Sequence, residues 1–184
     1  EQPTMSDVVF PPNWDDITGT ALPCENPNTD PSNTGWPSIN GSPIISNGPC
    51  NMAVTYNDLE IPLCDGMYKI LRTWTVAEWC VGSIVTHTQI ITVADNEGPE
   101  LVCPSDVTVG TTSSLYCLAS VIIPPVQATD NCSNTFSYQV TTPNGILNTN
   151  GGIVHDIAPG TYTITYTVSD GCGNQTTCSF NMTV

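Results

Sequence analysis

The chain has 184 residues, of which 17 are Asp or Glu and only 2 are Lys or Arg, so its formal net charge is −15. This charge argues against a nucleic-acid-binding protein, because phosphates are neutralised by clustered Lys and Arg. It would also repel an anionic membrane surface, and no run of residues approaches the roughly 20 apolar positions of a membrane-spanning helix.

Short β-strands are predicted along the chain, because Pro or Gly interrupts almost every window long enough for three helical turns. The clearest strand is Thr161–Val168, in which apolar residues and threonines alternate strictly. Turn signals such as Asn150-Gly151-Gly152 separate the strands, a pattern typical of a β-sandwich. In chain order, the strands are marked by residues 70–76, 91–93, 107–109, 121–123, 161–168 and 180–184.

Nine cysteines are dispersed among 16 prolines and 14 glycines. This composition favours an oxidising compartment and a loop-rich fold supported by disulfides. A zinc site is not indicated, because the chain has no Cys-x-x-Cys and His87 and His155 form no ligand-spaced pair. The chain begins at Glu1 without an initiator Met or a leader, and we expect it to be a piece of a longer exported protein.

An internal repeat predicts two domains. Residues 70–80 align with residues 162–172, and the positions of Thr73, Thr75, Val76 and Cys80 are identical in both copies. We therefore expect two tandem β-sandwiches, residues 1–96 and 97–184. The segment between them, residues 94–99, is short enough to favour an end-to-end arrangement.

The second unit resembles the hyalin repeat (HYR), on the segments Cys103–Val109, Ala128–Cys132, Pro159–Asn174 and Thr177–Phe180. The first unit is similar to a related repeat of giant surface adhesins of gliding bacteria, which type IX secretion delivers to the outer surface. Its matching segments are Arg72–Val76, Cys80 and Thr88–Val93, whereas residues 77–82 depart from the Asp, Gly and Asn of the usual pattern. The resemblance implies two tandem immunoglobulin-like β-sandwiches that act as spacers or adhesive modules outside the cell, without catalysis.

Strand directions predict most of the disulfides. The first and last strands of a seven-stranded sandwich run in the same sense, so cysteines at their starts lie at one end, as do cysteines that end the second and penultimate strands. The two rules predict the pairs Cys103–Cys178 and Cys132–Cys172 in the second unit. The repeat predicts the equivalent pair Cys50–Cys80 in the first unit, and elimination leaves Cys24–Cys64. Cys117 is left over, either as a buried free thiol or as a bridge to another chain or to a residue outside this sequence.

Acidic and amide side chains at the joint and in neighbouring loops suggest a calcium site, because Ca²⁺ prefers oxygen ligands. The candidate ligands are Asp95, Asn96, Glu97, Asp130, Asn131 and Asp170. The alternative is that these residues are solvated turn residues whose carboxylates cap the backbone.

Four tryptophans and one arginine are further candidates for specific contacts. Trp74 aligns with Tyr166 on the inward face and is expected in the core, and Trp14 is expected to open the first strand. Trp36, on a polar loop, and Trp79, before a turn, are candidate contacts for a ligand or a neighbouring subunit. Arg72 points inward, where it needs a carboxylate or stacking against Trp74.

Catalysis is not expected, because His155 beside Asp156 has no nucleophile motif nearby in sequence. We expect a structural and adhesive segment of a long fibre or filament on the surface of a bacterium that attaches, glides or captures prey. Its partners would be neighbouring repeats and other copies of the chain. The alternative function is a recognition module that binds surface glycans or proteins through Trp36 and Trp79.

Overall fold

The computed structural model describes residues 4–45, 52–113 and 115–184. The chain divides into two compact units, residues 1–95 and 96–184, a boundary one residue before the one expected from the repeat. The regular secondary structure of both units is almost entirely β, with 54% of the chain in strands and 4% in helix, so the all-β prediction is confirmed. No helix in the described part of the chain is long and apolar enough to cross a membrane.

The first unit has a four-stranded and a three-stranded sheet. Its elements are a short 3-10 helix (Met5–Asp7), β1 (Val8–Val9), β2 (Leu22–Pro23), α1 (Pro31–Thr34), β3 (Ser38–Ile39), β4 (Ser42–Pro43), β5 (Met52–Cys64), β6 (Met67–Glu78) and β7 (Ser83–Ala94). The larger sheet has the order β2-β7-β6-β5, in which β2 runs parallel to β7 and the other pairs are antiparallel. The smaller sheet has the order β1-β3-β4.

Strand β6 supplies much of the core of the first unit. Its inward residues Trp74 and Val76 are completely buried, as the alternation predicts, and side chains of the smaller sheet such as Val8 and Ile39 pack against them. Strand β5 joins β6 through a tight turn at Asp65 and Gly66, where Gly66 has a φ of +86° that favours glycine. This turn fixes the register in which Tyr56 faces Trp74.

The segment before β3 differs from the sequence expectation in two places. Residues 31–34 form the short helix α1, because Pro31 suits its first turn and the Asp30 side chain caps it by accepting the Ser32 N–H. Trp14 makes one isolated parallel bridge to Ile91 and does not open a strand. The prediction for Trp14 was wrong because the chain leaves the sheet edge immediately after this bridge.

The second unit is an immunoglobulin-like sandwich. Its strands are β8 (Glu100–Val102), β9 (Val107–Thr108), β10 (Ala119–Ile123), β11 (Gln127–Thr129), β12 (Phe136–Thr142), β13 (Gly145–Leu147), β14 (Gly152–Ile157), β15 (Thr161–Asp170) and β16 (Gln175–Thr183). One layer has the order β13-β12-β15-β16-β9, with β9 parallel to β16, and the other contains the pairs β10-β14 and β11-β8.

Strand β15 shows the predicted alternation. Ile164, Tyr166 and Val168 are completely buried, and they lie in one core with residues from both layers. At the start of the strand the Tyr162 hydroxyl donates to the Ala158 carbonyl, 3.0 Å away, an arrangement like the tyrosine corner of immunoglobulin-like domains. The Tyr166 hydroxyl donates to the Pro124 carbonyl and so connects the two layers.

The two units share their last hairpin and differ before it. In each unit the final two strands, β6–β7 or β15–β16, are antiparallel, and a short strand lies parallel to the last one. In the second unit β13 and β14 intervene between β12 and β15, whereas β5 passes directly into β6. The sequence repeat therefore reflects the final hairpin, and in the first unit no strand lies between β5 and β6.

Candidate functional site

Arg72 lies at the centre of a buried polar cluster in the first unit. Its side chain is 2% exposed, and its Nε and Nη2 donate to the two carboxylate oxygens of Asp58 at 2.8 and 2.7 Å. Nη1 donates to Thr34 Oγ1 at 2.9 Å. The sequence expectation of a carboxylate beside Arg72 is met by Asp58, which faces it across the β5–β6 pair.

Aromatic rings surround the same guanidinium. Its central carbon lies 4.7 Å from the Tyr56 ring centroid and 5.7 Å from that of Trp74. The Trp36 ring meets Tyr56 edge-on, with a centroid distance of 6.2 Å and an interplanar angle of 87°. Stacking on Trp74 was expected, but the closer partner Tyr56 was not, because its position depends on the register of the hairpin.

Further hydrogen bonds attach α1 to the large sheet. Gln89, completely buried on β7, accepts from Trp74 Nε1 at 3.1 Å and donates to the carbonyls of Pro12 and Thr34, each at 2.7 Å. Trp14 Nε1 donates to the same Thr34 carbonyl at 3.1 Å. Together with Arg72, which donates to Thr34 Oγ1, these bonds mean that three side chains hydrogen-bond to the last residue of α1.

A cleft of about 480 Å³ opens beside this cluster, and we call it the aromatic cleft. It is lined by Asp30, Pro31, Ser32, Trp36 and Tyr56. Trp36 is half-buried in its wall and donates from Nε1 to the Ile44 carbonyl at 3.0 Å, whereas Tyr56 is 43% exposed. Hydrogen bonds from Ser32 lower the pKa of Asp30, so this rim carboxylate is ionised at neutral pH.

The other predicted contact residue, Trp79, is 74% exposed and lies in the turn between β6 and β7. Nearby along the chain, Val81 is 73% exposed. Both side chains are exposed at the turn, and neither lines a cavity that the structure describes.

The candidate calcium ligands of the second unit cap turns. Asp130 Oδ1 accepts the N–H groups of Cys132 and Ser133, both at 2.8 Å. Asp170, which is buried, accepts at Oδ1 from the N–H groups of Cys172 and Asn174 at 2.8 and 2.9 Å, and at Oδ2 from the Asn174 amide. Both aspartates therefore accept backbone N–H groups of the turns in which they lie.

The remaining candidate ligands lie at or near the end of the first unit and the start of the second. Asn131 Nδ2 donates to Glu97 Oε2 at 3.3 Å. Asp95 is buried and follows β7, and Asn96 is exposed. Within the second unit, carboxylate oxygens of Asp130 and Asp170 lie within 4.8 Å of each other.

Six of the predicted disulfide cysteines are in disulfides: Cys24, Cys64, Cys103, Cys132, Cys172 and Cys178. Cys103 and Cys178 are joined to each other, the pair expected from the parallel first and last strands. Cys80 is exposed, and its predicted partner Cys50 lies outside the described residues.

Cys117 is an exposed free thiol, so the expectation of a buried thiol was wrong. It has a φ of +50° in a loop where the N–H groups of Thr112 and Ser113 both donate to the Leu118 carbonyl. This chain reversal leaves Leu115 and Tyr116 exposed beside the thiol. No sequence pattern distinguishes such a thiol from the buried cysteines that are more common.

Strand β5 is the edge of the large sheet in the first unit, and nine consecutive residues, Thr55–Leu63, are exposed. Leu59, Ile61 and Leu63 share one face and are 57, 38 and 48% exposed. An edge strand of this length carries backbone groups that can pair with another chain, although Pro62 and the charges of Asp58 and Glu60 weaken that tendency.

The histidines do not form a catalytic arrangement. His155 Nδ1 lies 2.9 Å from Ser120 Oγ, but no carboxylate is hydrogen-bonded to His155 among the contacts that the structure describes. His87 stacks against Phe10 at a centroid distance of 4.7 Å. A serine nucleophile needs a histidine that is itself oriented by a third group, which this exposed pair does not show.

Comparisons with known proteins show similarity of fold only. No protein-family model matches the chain, and no curated protein matches it. Solved structures that resemble it include the protocadherin GammaB4 extracellular domain (16% identity, TM-score 0.38), Drosophila N-cadherin EC1-4 (14%, 0.40) and human protocadherin-24 EC1-2 (15%, 0.37). The matches cover 80, 89 and 96% of this chain and 28, 46 and 98% of those chains, so this chain spans less than half of the first two.

Proposed function

We propose that the chain is a structural and adhesive segment of an extracellular fibre or filament on a bacterial surface. The observation that carries the proposal is the Cys103–Cys178 disulfide, which ties together the beginning and the end of the second unit. Disulfides persist in oxidising environments outside the cytosol. Closing a loop of 75 residues stabilises the folded unit by about 4 kcal/mol in the chain-entropy estimate.

The disulfide also has a mechanical consequence. Strands β9 and β16 lie side by side and parallel, with Val107 opposite Met182 and Thr108 opposite Thr183. Because β9 lies between the two cysteines, a pull on the two ends of the unit passes through the Cys103–Cys178 bond and not through β9, so residues 104–177 are excluded from extension. A module of this kind holds its length under tension, as a fibre segment must.

The HYR-like segments support the more specific parts of the proposal, namely type IX secretion and a role in attachment, gliding or prey capture. The exposed edge of β5 supports lateral contacts between copies of the chain in a filament. The exposed Cys117 thiol supports a covalent bridge to a second chain. The proximity of the Asp130 and Asp170 carboxylates supports calcium binding by the loops of the second unit.

Electron microscopy of the native material tests the main proposal. Ordered filaments that bind an antibody raised against residues 1–184 are the expected result. Antibody-labelled particles that are always dispersed, with no polymer in surface preparations, would contradict it. The imaging needs no ligand, so its outcome is independent of any binding activity.

A second candidate function is a recognition module, and the aromatic cleft favours it. The cleft has a volume within the range of roughly 300–1,000 Å³ typical of small-molecule sites. It combines the aromatic rings of Trp36 and Tyr56 with polar groups of Asp30 and Ser32. Saturable binding of a glycan or protein ligand that is lost when this cleft is altered would establish the function.

A further inference from the structure

We propose that the aromatic cleft binds one sugar ring of a neutral glycan, with Tyr56 as its stacking platform. This inference rests on the recognition function proposed above and assigns it a ligand class. Tyr56 was not among the contact residues expected from the sequence, whereas Trp79, which was, lies outside the cleft lining.

The shape of the cleft suits a pyranose ring. The rings of Trp36 and Tyr56 stand almost perpendicular, at 87°, so they form two walls of a corner. Tyr56 is 43% exposed and can receive the C–H groups of a sugar face, while Trp36 lines the adjacent wall. Asp30 and Ser32, which also line the cleft, supply a carboxylate and a hydroxyl for hydrogen bonds to sugar hydroxyls.

The walls are held in place before any ligand arrives. Trp36 is fixed by its bond to the Ile44 carbonyl and by edge-on contact with Trp74, at a centroid distance of 5.1 Å. Tyr56 packs against Trp74 and over the Arg72 guanidinium. A rigid site loses little entropy when it binds, which favours even a small ligand.

Charge selects a neutral sugar over charged ligands. The ionised Asp30 and the net charge of −15 repel carboxylated or sulfated sugars. A cation is disfavoured at Tyr56, because the Arg72 guanidinium already lies 4.7 Å from the centre of that ring. A neutral ring, which presents C–H groups to the aromatic walls and hydroxyls to Asp30, carries neither penalty.

The test is an NMR titration of the full chain with cellohexaose, mannohexaose, chitohexaose and a hexameric oligogalacturonate, monitored at the indole N–H of Trp36. The Trp36→Phe variant assigns that signal. At least one neutral hexamer is expected to shift it saturably, and the anionic hexamer is expected to leave it unchanged. The inference is wrong if no neutral sugar moves the signal, or if oligogalacturonate binds equally well.

Two variants locate the site. Tyr56→Leu removes the platform but retains apolar contact with Trp74, and we expect it to weaken binding about tenfold, or roughly 1.4 kcal/mol. The matched control is Tyr116→Leu, at a tyrosine that is 72% exposed in the second unit, and it should bind as the wild type does. Affinity of Tyr56→Leu within twofold of the wild type overturns the inference.

Asp30→Asn provides a test that should leave α1 and the aromatic packing in place, because Asn and Asp are equally good helix N-caps. It should weaken binding while the folded NMR spectrum is retained, and unchanged affinity would count against the assigned role of Asp30. A protein that binds none of the sugars but still forms ordered filaments overturns this inference and leaves the structural function intact. If the protein binds a protein ligand and none of the sugars, the recognition function is retained and the sugar inference is overturned.

Discussion

Arg72 and Asp58 form a bidentate ion pair in which the guanidinium is almost completely buried, while the Asp58 side chain is 33% exposed. The Asp58→Ala substitution leaves the arginine charge without its carboxylate. We expect it to destabilise the first unit by about 3 kcal/mol, at the low end for a broken buried pair because water reaches Asp58. Urea denaturation measures the loss, and Glu60→Ala, at an exposed acid two positions along β5, is the control that should change little.

Asp15 makes the fold of its loop sensitive to acid. Hydrogen bonds, chiefly from the Thr18 N–H, lower the pKa of Asp15 from 3.8 to about 2. Since the pKa is lower in the folded state, the stabilisation is present above about pH 4 and is lost as the pH falls towards 2. A carboxyl-carbon NMR titration should show Asp15 titrating near pH 2, whereas a midpoint near 4 would show that these bonds do not form in solution.

Asp170 organises the turn after β15. The Asp170→Ala variant removes the acceptor for two backbone N–H groups and one amide, and we expect a loss of about 2–3 kcal/mol in the stability of the second unit. Glu100→Ala, at an exposed acid of β8, is the matched control. Equal stability of both variants by thermal unfolding would contradict the capping role.

The same thermal measurement tests calcium. Binding to the folded state alone raises the melting temperature in proportion to the logarithm of ligand concentration. Millimolar calcium should therefore raise the melting temperature of the wild type and not that of Asp170→Ala. A wild-type melting temperature that calcium leaves unchanged removes the metal from the proposal.

The exposed Cys117 thiol should react with a maleimide in the folded protein, without denaturant or reductant. In native filaments the same thiol is expected to form covalent dimers, visible on a non-reducing gel and absent in the Cys117→Ser variant. Dimers that persist in Cys117→Ser would assign the bridge to another residue.

Much of the fold follows from local patterns in the sequence. Strict alternation in Thr161–Val168 specifies which face of β15 is buried, and the repeat indicates that Trp74 occupies the same core position as Tyr166, both of them completely buried. The inward position of Arg72 also follows from alternation, because side chains two residues apart share a face.

The aromatic cleft could not be predicted in the same way. Tyr56 and Asp58 reach Trp74 and Arg72 only because the turn at Asp65 and Gly66 sets the register of β5 against β6. A shift of one residue would have turned both side chains to the opposite face. Helix α1 could not be predicted from the sequence either, because its cap at Asp30 lies in a stretch with the composition of a polar loop.

The central claim, a module that holds its length under load, is tested by single-molecule pulling on the ends of the 184-residue chain with and without a reductant. The Cys103–Cys178 bond spans 75 residues, which fully extended reach roughly 250 Å. We predict that reduction increases the total length released on unfolding by at least this amount. Equal release in both conditions would contradict the account, because the disulfide would then not keep the residues it encloses out of the load path.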